Sequence, residues 1–329
     1  MYYLSIPRSV WHVLKYAHKK GLMVLRKSRT EFTQKPYRIY TSAESAKYIS
    51  PRQRIGLNRC HNINVSPETY FKRFTIFYVI LPPIAINYNI IMNLTTYLKE
   101  EKDAKRRGGL YHKTQINLAY NSNRIEGSKL TEEQTRYIFE TRTIGFKEQE
   151  AVPVDDIIET SNHFIDFDYL LDTINMPFSN TIIKEFHRIL KTGTSDATKE
   201  WFKIGEWKKL PNEVGGTKTS LPQNVETDMN KLNEWYHSIP EIEFENIIEY
   251  HYRFEKIHPF QDGNGRVGRL IMFRECLKNN IIPFIIDDNH KQFYYRGLKE
   301  FARVRGYLTD TCLASQDTYK EWIKYFYKD

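Results

Sequence analysis

The sequence has little cysteine and no paired cysteine motif. Its three cysteines, Cys60, Cys276 and Cys312, are odd in number and lie far apart in a chain of 329 residues. Without a CxxC pair, the sequence favours neither a disulfide framework nor a cysteine zinc site. We therefore expect a reducing compartment such as the cytoplasm.

Long apolar segments are also missing. The most apolar stretch, "FTIFYVILPPIAI" at 74–86, is 13 residues long and contains two consecutive prolines. A membrane-spanning helix needs about 20 apolar residues. The N-terminus has no compact apolar core followed by small residues, which a secretory signal requires. We therefore expect neither a membrane span nor a signal peptide.

Positive charge is concentrated in one part of the chain. The net charge is +9, yet residues 1–91 hold 15 of the 49 Lys and Arg and only 3 of the 40 Asp and Glu. That segment has a balance of +12, which leaves residues 92–329 with −3. A region without excess positive charge has no general attraction for polyanions, so nucleic acid is not the expected partner of residues 92–329.

Two regions are expected, 1–91 and 92–329. The first contains six prolines and shows no sustained helical or alternating pattern. Three interpretations stay open for it: a basic accessory arm, a loosely ordered extension, or sequence upstream of a true start at Met92. A nucleic-acid-binding regulator that acts through this basic segment is the alternative from another functional class, although no recognition helix or aromatic-basic platform is evident.

From residue 92 onward, apolar residues recur at helical spacing and predict one helix after another. Thr131 and Gln134 form a capping box ahead of one of them. Residues 202–222 hold two Pro and three Gly, which predicts a β-hairpin flap, with a plain surface connection as the alternative. The expected fold class is all-α, a compact helical body from which this flap projects. Helices are expected near 94–107, 110–127, 155–174, 179–193, 225–239 and 243–257.

One short stretch, "HPFQDGNGRVGR" at 258–269, combines residues suited to phosphate binding. Glycines in a turn that opens a helix let backbone N–H groups face a ligand, and the helix N-terminus attracts anions. Arg266 and Arg269 are three residues apart and would reach the same side of such an anion. Asp262 would hold Mg²⁺ against phosphate oxygens or cap the helix. His258 would accept a proton from an incoming hydroxyl.

This stretch resembles the Fic family signature HxFx(D/E)GNGRxxR at every defined position, and the resemblance covers about residues 92–300. Fic proteins are compact helical domains that usually transfer AMP from ATP to a hydroxyl side chain of a target protein. The resemblance implies a Mg²⁺-dependent protein adenylyltransferase that modifies Ser, Thr or Tyr, including its own. A Fic-fold phosphotransferase or another nucleotidyltransferase is the alternative. Gly263 and Gly265 disfavour the phosphotransferase, because phosphorylating members carry alanine and lysine in this turn.

The resemblance also implies roles for the residues of the catalytic loop, 258–269. His258 would be the general base, and Asp262 would hold Mg²⁺ between the α- and β-phosphates. Arg266 would bind the β-phosphate and Arg269 the γ-phosphate. The remaining residues implied in ATP binding are Gly263, Asn264 and Gly265, which would form the anion hole for the transferred phosphate, and Gly268.

In the family, the flap pairs with a target segment by strand addition, and residues 205–216 resemble that flap. Tyr294 and Tyr295, in "FYYRGL", would lie against the adenine and the ribose. A family asparagine one turn later has Ala302 in its place. The flap residues implied near the nucleotide are Asn212, Glu213, Val214, Gly215 and Gly216.

Regulation is implied by "SNRIEG" at 122–127, which resembles the family's inhibitory motif (S/T)xxxE(G/N). Ser122 and Glu126 would share one face of a helix at about 110–127 that ends at Gly127. Glu126 would pair bidentately with Arg269 and occupy the arginine meant for the γ-phosphate. The resemblance thus implies an autoinhibited enzyme, with reverse removal of AMP and self-association as further expectations.

Overall fold

The structure is a computed structural model, and it describes residues 24–27, 37–40, 94–145 and 151–327. The chain divides into two compact units, Met1–Asn89 and Ile90–Asp329. In the first unit, β1 (Val24–Lys27) pairs antiparallel with β2 (Tyr37–Tyr40). No alternating pattern predicts this hairpin. The interpretations offered for the rest of residues 1–91 lie outside the described residues.

The second unit is mainly helical, as predicted. Within the described part of the chain, no helix combines the length and the apolarity that crossing a membrane requires. Helix α1 covers residues 94–103 as far as it is described. The helices that follow are α2 (Leu110–Ile125), α3 (Glu132–Thr141), α4 (Val154–Asp172), α5 (Asn180–Lys191), α6 (Val225–His237), α7 (Phe244–Ile257), α8 (Asn264–Lys278), α9 (Lys291–Glu300) and α10 (Gly306–Phe326).

Helix boundaries follow local chemistry. The predicted capping box is present: the Gln134 amide donates to Thr131 Oγ1 (3.1 Å), and the Thr131 amide donates to Gln134 Oε1 (2.9 Å). Helix α7 ends at His258, which has a φ of 50° and precedes Pro259, because a residue before proline is disfavoured in the α region. The prediction for α1 was too long, since the chain leaves the helix after residue 103.

Helix α8 lies at the centre of the helical unit. Of its 15 residues, 13 are buried, and it packs against α2, α4, α5 and α7. A helix buried on every side is held in one position by its neighbours. The catalytic loop leads directly into α8, so the core fixes the place of that loop.

The segment between α5 and α6 contains the predicted hairpin. Strands β3 (Glu213–Val214) and β4 (Thr217–Lys218) pair antiparallel around a two-residue turn. The two turn glycines, Gly215 and Gly216, have φ values of 55° and 74°. A tight hairpin turn of this kind needs positive φ at both central positions, which is why glycine suits both.

Candidate active site

The catalytic loop between α7 and α8 is closed by its own side chains. Asn264 Oδ1 accepts a hydrogen bond from the Phe260 amide (2.8 Å), and Asn264 Nδ2 donates to the Phe260 carbonyl (2.9 Å). The Phe260 ring is buried and stacks on His187, with 4.0 Å between ring centroids. Both polar atoms of the Asn264 side chain therefore bind within the loop, whereas the sequence placed Asn264 in the anion hole. Its structural role is to close the turn.

Three glycines shape the loop for different reasons. Gly263 has a φ of 81°, and a Cβ there would lie 3.3 Å from Leu190 Cδ2. A Cβ on Gly265 would collide with the carboxylate of Glu126. A Cβ on Gly268 would lie 2.7 Å from His251 Cε1, so Gly268 allows α7 and α8 to pack closely.

Arg269 is buried and already paired. Its Nε donates to Ser122 Oγ (3.0 Å), and its Nη2 donates to the Ser122 carbonyl (2.8 Å) and to Glu126 Oε1 (2.7 Å). The structure thus brings Ser122, Glu126 and Arg269 together. Arg269 makes a single hydrogen bond to the Glu126 carboxylate, whereas a bidentate pair was expected. Burial would lower the pKa of Arg269, but the Glu126 carboxylate raises it above its ordinary value.

Glu126 lies at the end of α2, over the start of α8. It is the C-cap residue of α2, and Gly127 follows with a φ of 103°. Its carboxylate is close to Gly265, at the first turn of α8. A helix N-terminus attracts anions, so Glu126 binds where a phosphate oxygen would also be favoured.

Arg266 belongs to a second group of charges, which we call the Asp262 cluster: Glu159, Lys191, Asp196, Asp262 and Arg266. Arg266 pairs with Glu159 through Nη1, and its Nη2 lies 3.1 Å from Asp262 Oδ2. Lys191 Nζ lies 2.6 Å from Glu159 Oε1, 2.8 Å from Asp262 Oδ2 and 2.7 Å from Asp196 Oδ2. Sequence reasoning missed Glu159, Lys191 and Asp196.

Asp262 has the properties of a ligand for Mg²⁺. Burial would raise its pKa, but Arg266 and Lys191 hold the pKa of this carboxyl well below its ordinary range. Its side chain is 51% exposed. The described residues contain no group of three or more His, Cys, Asp or Glu that would enclose a metal ion. Mg²⁺ commonly takes one or two carboxylates and fills its other positions with phosphate oxygens and water, so a single ionised, accessible Asp262 fits it.

His258 lies beside a carboxylate that the sequence did not reveal as functional. Its Nδ1 is 3.5 Å from Glu255 Oε2, one helical turn earlier on α7, and both side chains are largely buried. Burial would raise the pKa of Glu255, but His258, His251 and Arg269 lower it below its ordinary value. A negative charge therefore lies behind the imidazole of His258.

The two tyrosines expected at the base and the sugar differ in exposure. Tyr294 is 1% exposed, and its hydroxyl lies 2.6 Å from His251 Nε2, inside the core. Tyr295 is 42% exposed, and its hydroxyl donates to the Ile125 carbonyl (3.1 Å). Only Tyr295 therefore offers an accessible ring to a nucleotide, while Tyr294 and His251 form a buried pair.

The base of the flap is tied to the catalytic loop. Lys208 Nζ donates to Asn212 Oδ1 (2.7 Å), Thr219 Oγ1 (2.7 Å) and the Ile257 carbonyl (3.2 Å). Asn212 Nδ2 donates to the Phe260 carbonyl (3.1 Å). Asn212 therefore contacts the catalytic loop, and its implied place near the nucleotide stays a prediction. The other four flap residues expected near a nucleotide are exposed at the tip: Glu213, Val214, Gly215 and Gly216.

Comparison with known proteins agrees with this geometry. The family model described as Fic/DOC family matches residues 177–276. A protein named Protein adenylyltransferase Fic from Nematostella vectensis is 29% identical over 217 residues, which cover 62% of this chain and 48% of that protein. Its namesake from Aedes aegypti is 31% identical over 192 residues, which cover 55% of this chain and 36% of that protein. The chain spans about half the length of these curated relatives or less.

Solved structures support the same fold. A Fic domain containing signaling protein from Bacteroides thetaiotaomicron matches with a TM-score of 0.54 and 24% identity, over 73% of this chain and 90% of that one. A Fic family protein from Desulfovibrio desulfuricans G20 matches with a TM-score of 0.54 and 19% identity, over 82% of this chain and 78% of that one. Residues 177–276 match the Fic/DOC family model, the complete signature lies within this range, and the helical unit has the same fold as these solved structures.

Proposed function

We propose that this chain is an autoinhibited protein adenylyltransferase, which uses ATP and Mg²⁺ to attach AMP to hydroxyl side chains. The observation that carries the proposal is the state of the two signature arginines. Arg266 and Arg269 are both buried at the start of α8. Each keeps one buried guanidinium nitrogen without a hydrogen-bond partner among the described residues: Nε in Arg266 and Nη1 in Arg269. Buried unpaired donors are costly, and a phosphate chain would satisfy both.

The name shared by the curated relatives supports adenylyl transfer in particular. In the proposed reaction, a target hydroxyl oxygen attacks the α-phosphorus of ATP. A new oxygen–phosphorus bond forms, the bond between the α-phosphorus and the bridging oxygen breaks, and pyrophosphate leaves. His258 takes the hydroxyl proton. Its Nδ1 faces Glu255, so Nε2 would receive this proton.

Charge stabilisation is assigned to the loop and to the ion. Mg²⁺, when bound at Asp262, would neutralise charge on the phosphates. Arg266 and the first amides of α8 would hold the phosphate chain in place. Arg269 would bind the terminal phosphate of ATP once its hydrogen bond to Glu126 is broken.

Inhibition follows from the contact between Glu126 and Arg269. The carboxylate takes one donor of this arginine (2.7 Å) and lies over the first turn of α8. Two anions cannot share this place without repulsion. ATP would therefore bind with its γ-phosphate displaced, and the α-phosphorus would be turned away from the incoming hydroxyl.

The target is proposed to be a protein segment that pairs with the flap. The flap leaves its strand edges and several apolar side chains exposed: Leu210, Val214 and Leu221. Addition of a strand to such an edge uses main-chain hydrogen bonds and tolerates many sequences. Cys276 and Cys312 are buried and free, which favours a reducing compartment such as the cytoplasm.

The test uses the full chain with ATP labelled on the α-phosphate or on the γ-phosphate, in the presence of Mg²⁺. Glu126→Gly is expected to raise self-modification by α-label about tenfold or more, which corresponds to about 1.4 kcal/mol of transition-state stabilisation. Adding His258→Ala is expected to abolish the signal. Glu200→Gly, a change at an exposed turn residue, is the matched control and should leave the rate unchanged. Retention of the γ-label would instead establish a phosphotransferase, and no label from either position would overturn the proposal.

A further inference from the structure

We infer that Lys191 is a positioning residue that offsets the charge of Asp262 whenever no metal ion is bound there. Its presence would let the loop accept nucleotide phosphates both with and without Mg²⁺. This inference rests on the proposed nucleotide site and goes beyond it, because Lys191 is outside the catalytic loop.

The contacts of Lys191 place its charge beside Asp262. It is the last residue of α5 and only 3% of its side chain is exposed. Its ammonium group lies within 2.8 Å of three carboxylates, those of Glu159, Asp196 and Asp262. Burying a lysine is costly unless it is paired, so this position is well defined and is maintained by the acids around it.

The charge count of the Asp262 cluster shows what Lys191 contributes. The cluster contains three acids and, apart from Lys191, only one base, Arg266. Lys199 also contacts Asp196, at 2.5 Å, but from a more exposed position.

An ionised Asp262 repels phosphates unless a cation offsets it. A bound Mg²⁺ would do so, and Lys191 supplies a fixed cation in its absence. The two need not compete, since Lys191 and Arg266 both contact Oδ2 while half of the Asp262 side chain is exposed. Removal of Lys191 should therefore weaken metal-free binding far more than binding with Mg²⁺.

The experiment measures ADP binding to the full chain by calorimetry, with Mg²⁺ or with EDTA. ADP lacks the γ-phosphate that Arg269 would bind, so its binding does not require Arg269 to leave Glu126. Lys191→Met is expected to weaken metal-free binding by about tenfold, as one unit charge at a partly buried site would. Binding with Mg²⁺ should change by less than about threefold.

Three further variants make the result interpretable. Lys191→Arg keeps the charge and should restore metal-free binding. The double variant Lys191→Met/Asp196→Asn removes the positive charge of Lys191 together with the negative charge of its partner Asp196. It gives a second measurement if Lys191→Met alone does not fold. Lys320→Met, which breaks an exposed pair with Asp317 on α10, is the control and should bind as the unmodified chain does.

Equal weakening with and without Mg²⁺ would show that Lys191 only supports the fold, and would overturn the inference. Unchanged binding in both conditions would do the same. If the unmodified chain bound no ADP in either condition, the proposed function would fail as well. Selective loss of metal-free binding, restored by Lys191→Arg, is the supporting result.

Discussion

At the scale of single residues, the nearest carboxylate to the His258 ring nitrogen Nδ1 among the ion pairs of the described residues is that of Glu255. His258 is the C-cap of α7 with a φ of 50°, a conformation that is uncommon outside glycine but in which Asn, Asp and His are enriched. The Glu255 carboxylate lies 3.5 Å from Nδ1. A carboxylate in this position orients the ring and stabilises the positive charge that the ring acquires with a proton. In the proposed reaction, Glu255 would therefore act through His258.

We predict that Glu255→Gln lowers AMP transfer about 10- to 100-fold, because the side chain keeps its size but loses the charge behind His258. The change is best measured in the Glu126→Gly background, where activity is highest. ADP affinity should stay within about twofold of the parent. Glu245→Gln, an exposed acid on the same helix, is the control. A parallel loss of ADP affinity would mean that Glu255 only maintains the fold.

At the scale of elements, the flap is short but its base is fixed. Each strand has two residues, too few for independent stability. The base is held by the buried Lys208, which donates to two side chains and to the Ile257 carbonyl. The Ser220 amide also donates to the Ile257 carbonyl (3.3 Å). These bonds to the end of α7 place the flap beside the catalytic loop.

Lys208→Met is expected to loosen the flap and to slow AMP transfer, because three hydrogen bonds of its base are lost. Hydrogen exchange of the Ser220 amide should become about tenfold faster, which corresponds to about 1.4 kcal/mol of local stability. ADP affinity should change little. Lys209→Met, at the exposed neighbouring lysine, is the matched control. Unchanged exchange at Ser220 would show that Lys208 does not hold the flap.

How far the sequence predicts each element depends on the distance between interacting residues. The capping box of Thr131 and Gln134 and the turn at Gly215 involve neighbours within a few residues, so composition and spacing predict them. The pair of Glu126 and Arg269 spans 143 positions and was predicted only because both motifs resemble those of one family. Glu159 and Lys191 belong to no motif. In the sequence of a helix, a charged residue that is buried and paired looks the same as one on the solvent-exposed face.

At the scale of the whole molecule, the core contains three buried histidines that packing keeps neutral. Burial and, to a smaller extent, nearby cations lower the pKa of His163 to about 3 and the pKa of His187 to about 3. Burial also lowers the pKa of His251 to about 4. In the unfolded chain a histidine titrates near pH 6.5. Below that pH the unfolded state binds protons that the folded state does not, so each histidine makes unfolding more favourable as the pH falls.

A buried acid whose pKa is raised acts in the opposite direction. Burial raises the pKa of Asp166 well above its ordinary value. The folded state then binds a proton that the unfolded state releases, and this favours folding as the pH falls. The total pH dependence is therefore a difference between these effects. The contribution of one histidine is obtained only by comparing the chain with a variant that lacks it.

We predict that His163→Met reduces the loss of stability between pH 7 and pH 5.5 by about 1 kcal/mol relative to the unmodified chain. Both ring nitrogens of His163 are buried without a hydrogen-bond partner in the described part of the chain, so the variant removes a titrating group and breaks no polar contact there. The free energy of unfolding would be measured with urea at both pH values. His237→Gln, at an exposed histidine of α6, is the control and should follow the unmodified chain. An equal loss of stability in His163→Met and in the unmodified chain would mean that His163 binds a proton as readily in the folded state as in the unfolded state, because such a histidine adds no pH dependence to the free energy of unfolding.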